Sequence, residues 1–312
     1  MTTITGKRIR IRGLVSIVAL ALTSNVFAQN DILLTQQMIS RININPAATG
    51  NSDYLNAFVL MRQQWAGFEN APETGVINFH GYFDRIRSGL GLTATYDKIG
   101  VGNTSVNAKL AYAYHFNLGE NWLMSLGLSG GVKQNAFDPT KQFFIDETDP
   151  EIPMEKISQL SPDVDFGFEI SSERFLLGAS ATHLLKLPDQ ASSAYDAHQY
   201  YAYMRYKQPV GESVALYAGV RGSNFDTKYF LEGNLTAMFF DIFWIGGAFR
   251  PDNAAAGFAG VQFEFFKLGY AYDYSIGKTA SLAKSSHEIV VSIRLAKLKK
   301  SVNTKSPRFI EN

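Results

Sequence analysis

Thr104-Ser105-Val106-Asn107-Ala108-Lys109-Leu110-Ala111-Tyr112-Ala113-Tyr114-His115-Phe116-Asn117 alternates without a break. The even positions are mostly apolar and end in aromatics, whereas the odd positions are polar or small. Successive side chains of an extended strand point to opposite faces, so this stretch has one greasy face and one wet face. It is also longer than the ~5–6 residues of a usual globular strand. A long strand of this kind fits a wall with lipid on one side and a polar lumen on the other.

The pattern returns along the chain. Val164, Phe166, Phe168 and Ile170 oppose Asp163, Asp165, Gly167 and Glu169. Leu268, Tyr270, Tyr272 and Tyr274 oppose Lys267, Gly269, Ala271 and Asp273, and Ile289, Val291, Ile293 and Leu295 oppose Glu288, Val290, Ser292 and Arg294. A one-residue slip would turn charges into lipid, at about 2–4 kcal/mol for a midplane Arg or Lys. Strands are expected over 53–62, 73–83, 88–98, 103–117, 120–134, 162–172, 174–184, 197–208, 212–222, 225–239, 240–250, 254–266, 267–276 and 286–297; the first alternates least cleanly. Short connections (84–87, 118–121, 171–174, 209–212, 239–241, 265–267) alternate with longer ones (64–72, 135–162, 185–197, 277–286), and 251–253 is a short exception among the latter. The expected fold class is all-β: a transmembrane antiparallel β-barrel of about 14 strands, with short periplasmic turns and longer extracellular loops. A soluble sandwich or solenoid would share the alternation but not this alternating loop length.

The N-terminus points to export. Lys7, Arg8, Arg10 and Arg12 precede a short apolar run from Gly13 to Leu22, and Val26-Phe27-Ala28 supplies small residues for cleavage after Ala28. The apolar run is about half the ~20 residues a spanning helix needs. The expected organisation is a signal peptide at 1–28, a periplasmic or lumen segment at 29–52, a barrel at 53–297 and a periplasmic tail at 298–312. Both ends of the barrel then lie in the periplasm of a Gram-negative outer membrane. The segment at 29–52 holds Asn45-Pro46, a turn or extended pair, and is placed to enter the lumen as a plug. The tail is basic, with Lys299, Lys300, Lys305 and Arg308.

Composition narrows the function. The net charge of +1 turns slightly negative once the four basic residues of 1–28 leave, so no basic excess suggests nucleic acid. The absence of cysteine excludes a lipid-anchored cysteine, a disulfide framework and any thiolate site. Twenty-six glycines, 15 tyrosines and 23 phenylalanines suit strands, tight turns and aromatic girdles.

Chemistry is sparse. The histidines are scattered, and His287-Glu288 begins like a metalloprotease helix but lacks the second histidine. No Gly-x-Ser-x-Gly elbow or P-loop occurs. Asp146, Glu147, Asp149, Glu151 and Glu155 fit no EF-hand spacing and read as a solvated acidic loop. No enzyme, metal or cofactor is expected. The remaining polar set is the lumen-facing charges Lys109, Asp165, Glu169, Arg205, Lys207, Glu232, Glu264, Asp273, Glu288 and Arg294. Their mixed signs suit a salt-bridged lumen; the sharper alternative is a polar seat for an inserted partner segment.

Several motifs then match one family in order: Gln36-Gln37 with Asn45-Pro46-Ala47-Ala48-Thr49-Gly50, Arg62-Gln63-Gln64-Trp65-Ala66-Gly67-Phe68 with Asn70-Ala71-Pro72, Phe243-Trp244-Ile245-Gly246 with Phe249-Arg250-Pro251-Asp252, and Leu268-Gly269-Tyr270-Ala271-Tyr272-Asp273-Tyr274-Ser275-Ile276 with Ser286-His287-Glu288-Ile289. The chain resembles the PorP/SprF family of the Bacteroidota type IX secretion and gliding system. The last strand departs from the usual ending, closing at Arg294-Leu295 without a terminal aromatic. The resemblance implies a non-enzymatic outer-membrane barrel that supports secretion or holds exported adhesins at the cell surface. Its implied partners are periplasmic or lipoprotein components of that machine, the C-terminal domain of a secreted adhesin, and outer-membrane lipid. The motif residues Asn45, Pro46, Arg62, Trp65, Arg250, Asp252, Tyr272, Asp273, Tyr274, His287 and Glu288 are the candidates for partner binding. A FadL-like or porin-type small-solute transporter is the alternative, because FadL-like proteins carry a similar Asn-Pro-Ala box.

Overall fold

A computed structural model describes residues 33–141, 155–185, 198–225, 228–277, 280 and 285–297. The expected signal peptide, the acidic run at 146–151 and the basic tail beyond 297 lie outside the described residues. Fourteen antiparallel strands close into a barrel: β1 (Tyr54–Gln63), β2 (Glu73–Phe83), β3 (Ser88–Ile99), β4 (Asn103–Leu118), β5 (Trp122–Phe137), β6 (Ile157–Ser171), β7 (Phe175–Thr182), β8 (Gln199–Val210), β9 (Val214–Phe225), β10 (Lys228–Phe239), β11 (Phe243–Arg250), β12 (Ala254–Gln262), β13 (Phe266–Ser275) and β14 (Ser285–Lys297). Each strand pairs with its neighbours in sequence, and β1 closes on β14 with Leu60 opposite Val290. Closure removes the unpaired edge that an open sheet would expose.

The faces sort as the alternation demands. In β4, Val106, Leu110, Tyr112 and Tyr114 are exposed on the outer wall, while Asn107, Lys109, Ala111, Ala113 and His115 are buried inside. The outer wall continues through Met61, Ile77, Leu128, Phe166, Leu177, Leu235 and Ile245. An apolar girdle of this kind is stable in lipid and would be an aggregation surface in water.

Several strand boundaries differ from the sequence expectation. β5 and β6 run past Asn135 and start before Pro162, pairing Phe137 with Ile157, so the connection between them spans 138–156. Pro162 sits within β6 opposite Val132, although proline donates no ladder hydrogen bond. β12 ends at Gln262, which leaves Phe263–Phe265 as a turn. The expected 225–239 strand begins at Lys228, because Phe225 closes β9. Connections at 100–102 and 226–227 are as short as those at the opposite end, so loop asymmetry rests on 64–72, 138–156, 183–198 and 276–284.

β1 explains its own poor pattern. Phe58 and Leu60 face inward, where they pack with Val76, Val290 and Leu34. The lumen is apolar there because Leu34, from the segment before the barrel, lies against it.

Candidate functional site in the lumen

Residues 33–52 run through the lumen. They begin in the half near the longer loops and reach β1 at the end carrying the short turns. Two anchors hold them.

The first anchor is ionic. Glu288 Oε2 and Oε1 accept the backbone N–H groups of Thr35 (2.9 Å) and Gln36 (2.6 Å). The Thr35 hydroxyl donates to Asp273 Oδ1 at 2.7 Å. Arg62 donates to Asp273 (2.8 Å) and Glu288 (3.3 Å). Arg250 donates to Glu232 (2.6 Å), to Asp273 (3.1 Å) and to the Thr35 hydroxyl. Arg221 joins Glu232 at 3.0 Å to the Leu34 carbonyl at 3.1 Å. Three arginines thus face three carboxylates, all buried. Charges taken out of water need this degree of pairing, since a lone buried ion is strongly destabilising.

The second anchor is the Asn45–Gly50 motif. Asn45 Oδ1 caps a short 3₁₀ turn at Pro46–Ala48 by accepting from Ala47 N (2.9 Å), and Pro46 opens that turn where its missing N–H costs nothing. Asn45 Nδ2 donates to the Phe168 carbonyl and to the Tyr203 hydroxyl, both at 2.9 Å. Tyr203 in turn donates to Glu169 Oε2 at 2.6 Å. Glu169 also receives Arg41 Nε at 3.0 Å and Asn51 Nδ2 at 2.8 Å. The turn lies flush on the wall: a Cβ on Gly127 would stand 2.1 Å from Ala47 N. Gly50 leaves the turn at φ +75°, a conformation glycine adopts without strain, and its N–H donates to His80 Nδ1 at 3.1 Å. The Thr49 carbonyl accepts from His115 Nε2 at 2.8 Å.

A third cluster lies in the wall itself. Lys109 Nζ contacts Asp165 (2.7 Å) and Asp163 (2.8 Å), and Ser129 donates to Asp165 at 2.6 Å. His183 donates to Asp163 through Nδ1 (2.8 Å) and to Asp165 through its backbone N–H (3.0 Å). Asp163, Asp165 and His183 offer ligand atoms within 4.8 Å of one another, a grouping the scattered histidines did not suggest. Lys109 bridges the two carboxylates with its ammonium, in the position a bound cation would take. His183 begins the connection after β7, and burial is the largest cause holding its pKa below the ordinary value, against the hydrogen bond to Asp163.

The motif residues therefore divide. Asn45, Pro46, Arg62, Arg250, Asp273 and Glu288 are buried around the inner segment. Tyr272 and Tyr274 are exposed on the outer wall, and His287 joins them there, accepting from the Tyr270 hydroxyl at 2.6 Å. Trp65 and Asp252 lie in connections at positive φ, with Trp65 N donating to Ser286 Oγ at 3.1 Å. Of the expected lumen charges, Lys109, Asp165, Glu169, Arg205 and Glu232 are buried inside. Glu264 is not in the lumen: it is exposed in the 263–265 turn, because β12 stops two residues earlier. Arg294 is half-buried at the same rim, donating to the Glu264 carbonyl at 3.2 Å and stacking on Tyr54. Sequence reasoning passed over Arg41, Arg221, Tyr203 and Thr35; of these, Arg221 is an inward charge on β9 that the alternation could have placed.

A family model described as type IX secretion system membrane protein PorP/SprF matches residues 26–293. The chain belongs to that family. As a PorP/SprF barrel with an apolar outer wall, it is an outer-membrane protein. No curated protein sequence matches it. Among solved structures it is similar to Omp33 of Acinetobacter baumannii (9% identity, 78% of this chain and 98% of that one, TM-score 0.48). It is also similar to the toluene transporter TbuX of Ralstonia pickettii (8%, 86% and 96%, 0.48) and to a FadL homologue of Pseudomonas aeruginosa (10%, 81% and 93%, 0.48).

Proposed function

We propose that this PorP/SprF barrel is a non-enzymatic docking component of type IX secretion, supporting export or retention of surface proteins through protein contacts at its rims. The observation that carries the reading is a lumen filled by the chain's own residues 33–52, with its ionic anchor internally balanced. A wall whose charges are spent on an inner segment has little left to line a wide aqueous path. Partner contact then falls to the surfaces that remain outside: the connections holding Trp65 and Asp252, and the short-turn rim with Glu264 and Arg294. The short turns and the chain ends are taken to face the periplasm, where other components of the machine reach them. Adhesin C-terminal domains are the class of cargo this reading serves.

Deleting the gene should abolish export or surface display of a type IX cargo, and re-expression should restore it. Unchanged export and unchanged surface adhesins would overturn the proposal. The competing reading, a small-solute transporter, predicts steady conductance in planar bilayers, whereas the filled lumen predicts silence.

A further inference from the structure

We propose that the turns joining β10 to β11 and β12 to β13 form a lipid-inserted foot, whose rings are covered by the leaflet at the short-turn end. The two turns are tied together. Gln262 donates from its backbone N–H to the Ile242 carbonyl (2.7 Å) and from Nε2 to the Asp241 carbonyl (2.9 Å).

Three features set this sector apart. The first is composition. Six short turns close this end of the barrel. Those at 119–121, 172–174 and 211–213 hold no large apolar residue, and 84–87 holds one, Ile86, among three charges. The turns at 240–242 and 263–265 instead read Phe-Asp-Ile and Phe-Glu-Phe. Phe240, Phe263 and Phe265 are 65%, 47% and 62% exposed. The second is the backbone. The Phe239 carbonyl accepts from Ile242 N at 2.9 Å, and Phe240 and Asp241 both have positive φ (55° and 52°). Positive φ at both central residues marks a type I′ turn, whose favoured occupants are Asn and Gly. A bulky ring enters the left-handed region only against a steric penalty, so Phe240 serves something other than the turn. The third is continuity. Phe239 and Phe243 are exposed at the ends of β10 and β11. Phe266 opens β13, with ring centroids 5.0 Å from Phe263 and 5.2 Å from Phe265. The apolar outer wall thus runs past the strand ends and into both turns.

The acids fix the depth. Asp241 and Glu264 each stand in the middle of their turn with an apolar residue on either side, and both are exposed. A charged side chain is costly at the bilayer midplane, and the cost fades near the interface. The two apices therefore stay with headgroups and water while the flanking rings enter the acyl region beside them. A protein could also cover exposed rings, but this patch merges with a wall that lipid already covers. The water-facing rim then consists of the polar turns between β2 and β9 and the two apex acids. This inference does not rest on the docking role, since a barrel of any function would be seated by the same sector.

The chain has no cysteine, so single cysteines report without background. Phe240→Cys, Phe263→Cys and Phe265→Cys, with Glu120→Cys and Glu212→Cys as controls, are each given a nitroxide label in the full chain in phosphatidylcholine nanodiscs. Collisions with oxygen, which partitions into lipid, are compared with collisions with a water-soluble nickel chelate. The oxygen-to-nickel ratio should be high at 240, 263 and 265 and low at 120 and 212. A ratio at the three phenylalanine sites equal to that of the controls would overturn the proposal. If those sites then lost nickel access in native outer membranes, the cover would be a protein. The unsubstituted, deuterated chain gives a second reading that no variant has to fold for. Nuclear Overhauser contacts from lipid methylene protons should reach amides at 240–243 and 263–266 and miss those at 119–121 and 211–213; equal contacts in both sets, or none in either, would overturn the proposal.

Discussion

The two anchors of the inner segment solve one problem with different physics. At Leu34–Gln36 the wall supplies charge: three arginines and three carboxylates enclose a backbone that itself carries none. At Asn45–Gly50 the wall supplies room: glycines let the backbone lie against the sheet, and one asparagine both caps the turn and donates to the wall. The ionic anchor is specific because a buried ion tolerates few geometries. The packed anchor is specific because its shape admits no added atom. The ionic anchor should therefore fail abruptly when one member is removed, and the packed anchor in proportion to the volume inserted.

Removing an arginine is the severest way to break the first anchor. Arg250→Met leaves Glu232 and Asp273 buried with one cation fewer, a change that costs about 3–5 kcal/mol when a buried pair is broken. Hydrogen exchange should accelerate at residues 34–39 well before it does at 45–50. Adding Glu232→Gln should recover part of the loss, because the stranded charge is then gone. Equal exchange at both anchors would show that the segment is held as one unit.

Gly127→Ala tests the second anchor by volume. The new methyl meets Ala47 N at 2.1 Å and must push the turn away, at about 1–3 kcal/mol for overpacking. Gly130→Ala is the matched control, since a Cβ there meets nothing within 4 Å. The expected result is selective exchange at 45–50 in the first variant and wild-type behaviour in the second. Asn45→Ala should act in the same place more gently, at about 0.5–2 kcal/mol for a lost cap.

This contrast also marks what could be read from the sequence. The barrel was legible because lipid on one side and lumen on the other impose a strict period of two, visible in β4, β6, β13 and β14. It faded in β1, where Phe58 and Leu60 turn inward to meet Leu34: an inner segment makes the lumen locally apolar, and periodicity alone assigns such residues to the wrong side. Glu264 was misplaced for a related reason. Phe263, Glu264 and Phe265 continue the alternation through a turn, and nothing in the pattern says where pairing stops. The Asn45–Gly50 motif was visible as a turn, but its fit to Gly127 and Gly167 was not, since those glycines are far away in sequence. Charged residues could be assigned to the lumen by parity, whereas their partners depend on barrel closure. Arg62, Arg250, Asp273 and Glu288 were candidates through their motifs, and their contacts with residues 34–36 could not be read from the sequence.

The smallest expected effect sharpens the comparison from a third place. His183 faces Asp163 and Asp165 from β6, Lys109 from β4 and Lys133 from β5, and its carbonyl accepts from His198 Nδ1 at 2.8 Å. Burial and the two lysines favour the neutral ring, and together they outweigh Asp163, so the folded-state pKa lies below the ordinary value of about 6.5. The folded protein therefore binds fewer protons than the unfolded chain between those two values. The stabilising contribution is complete above about pH 6.5 and is lost as the pH falls toward the folded-state pKa. Acidification should loosen the start of the 183–198 connection, seen as faster exchange at His183 and Leu184, while leaving 34–36 protected. His183→Gln removes the titrating ring and should flatten that dependence without exposing either anchor. If the pH profile survives the substitution, the titrating group lies elsewhere in the cluster, and the imidazole is only a hydrogen-bond donor to Asp163.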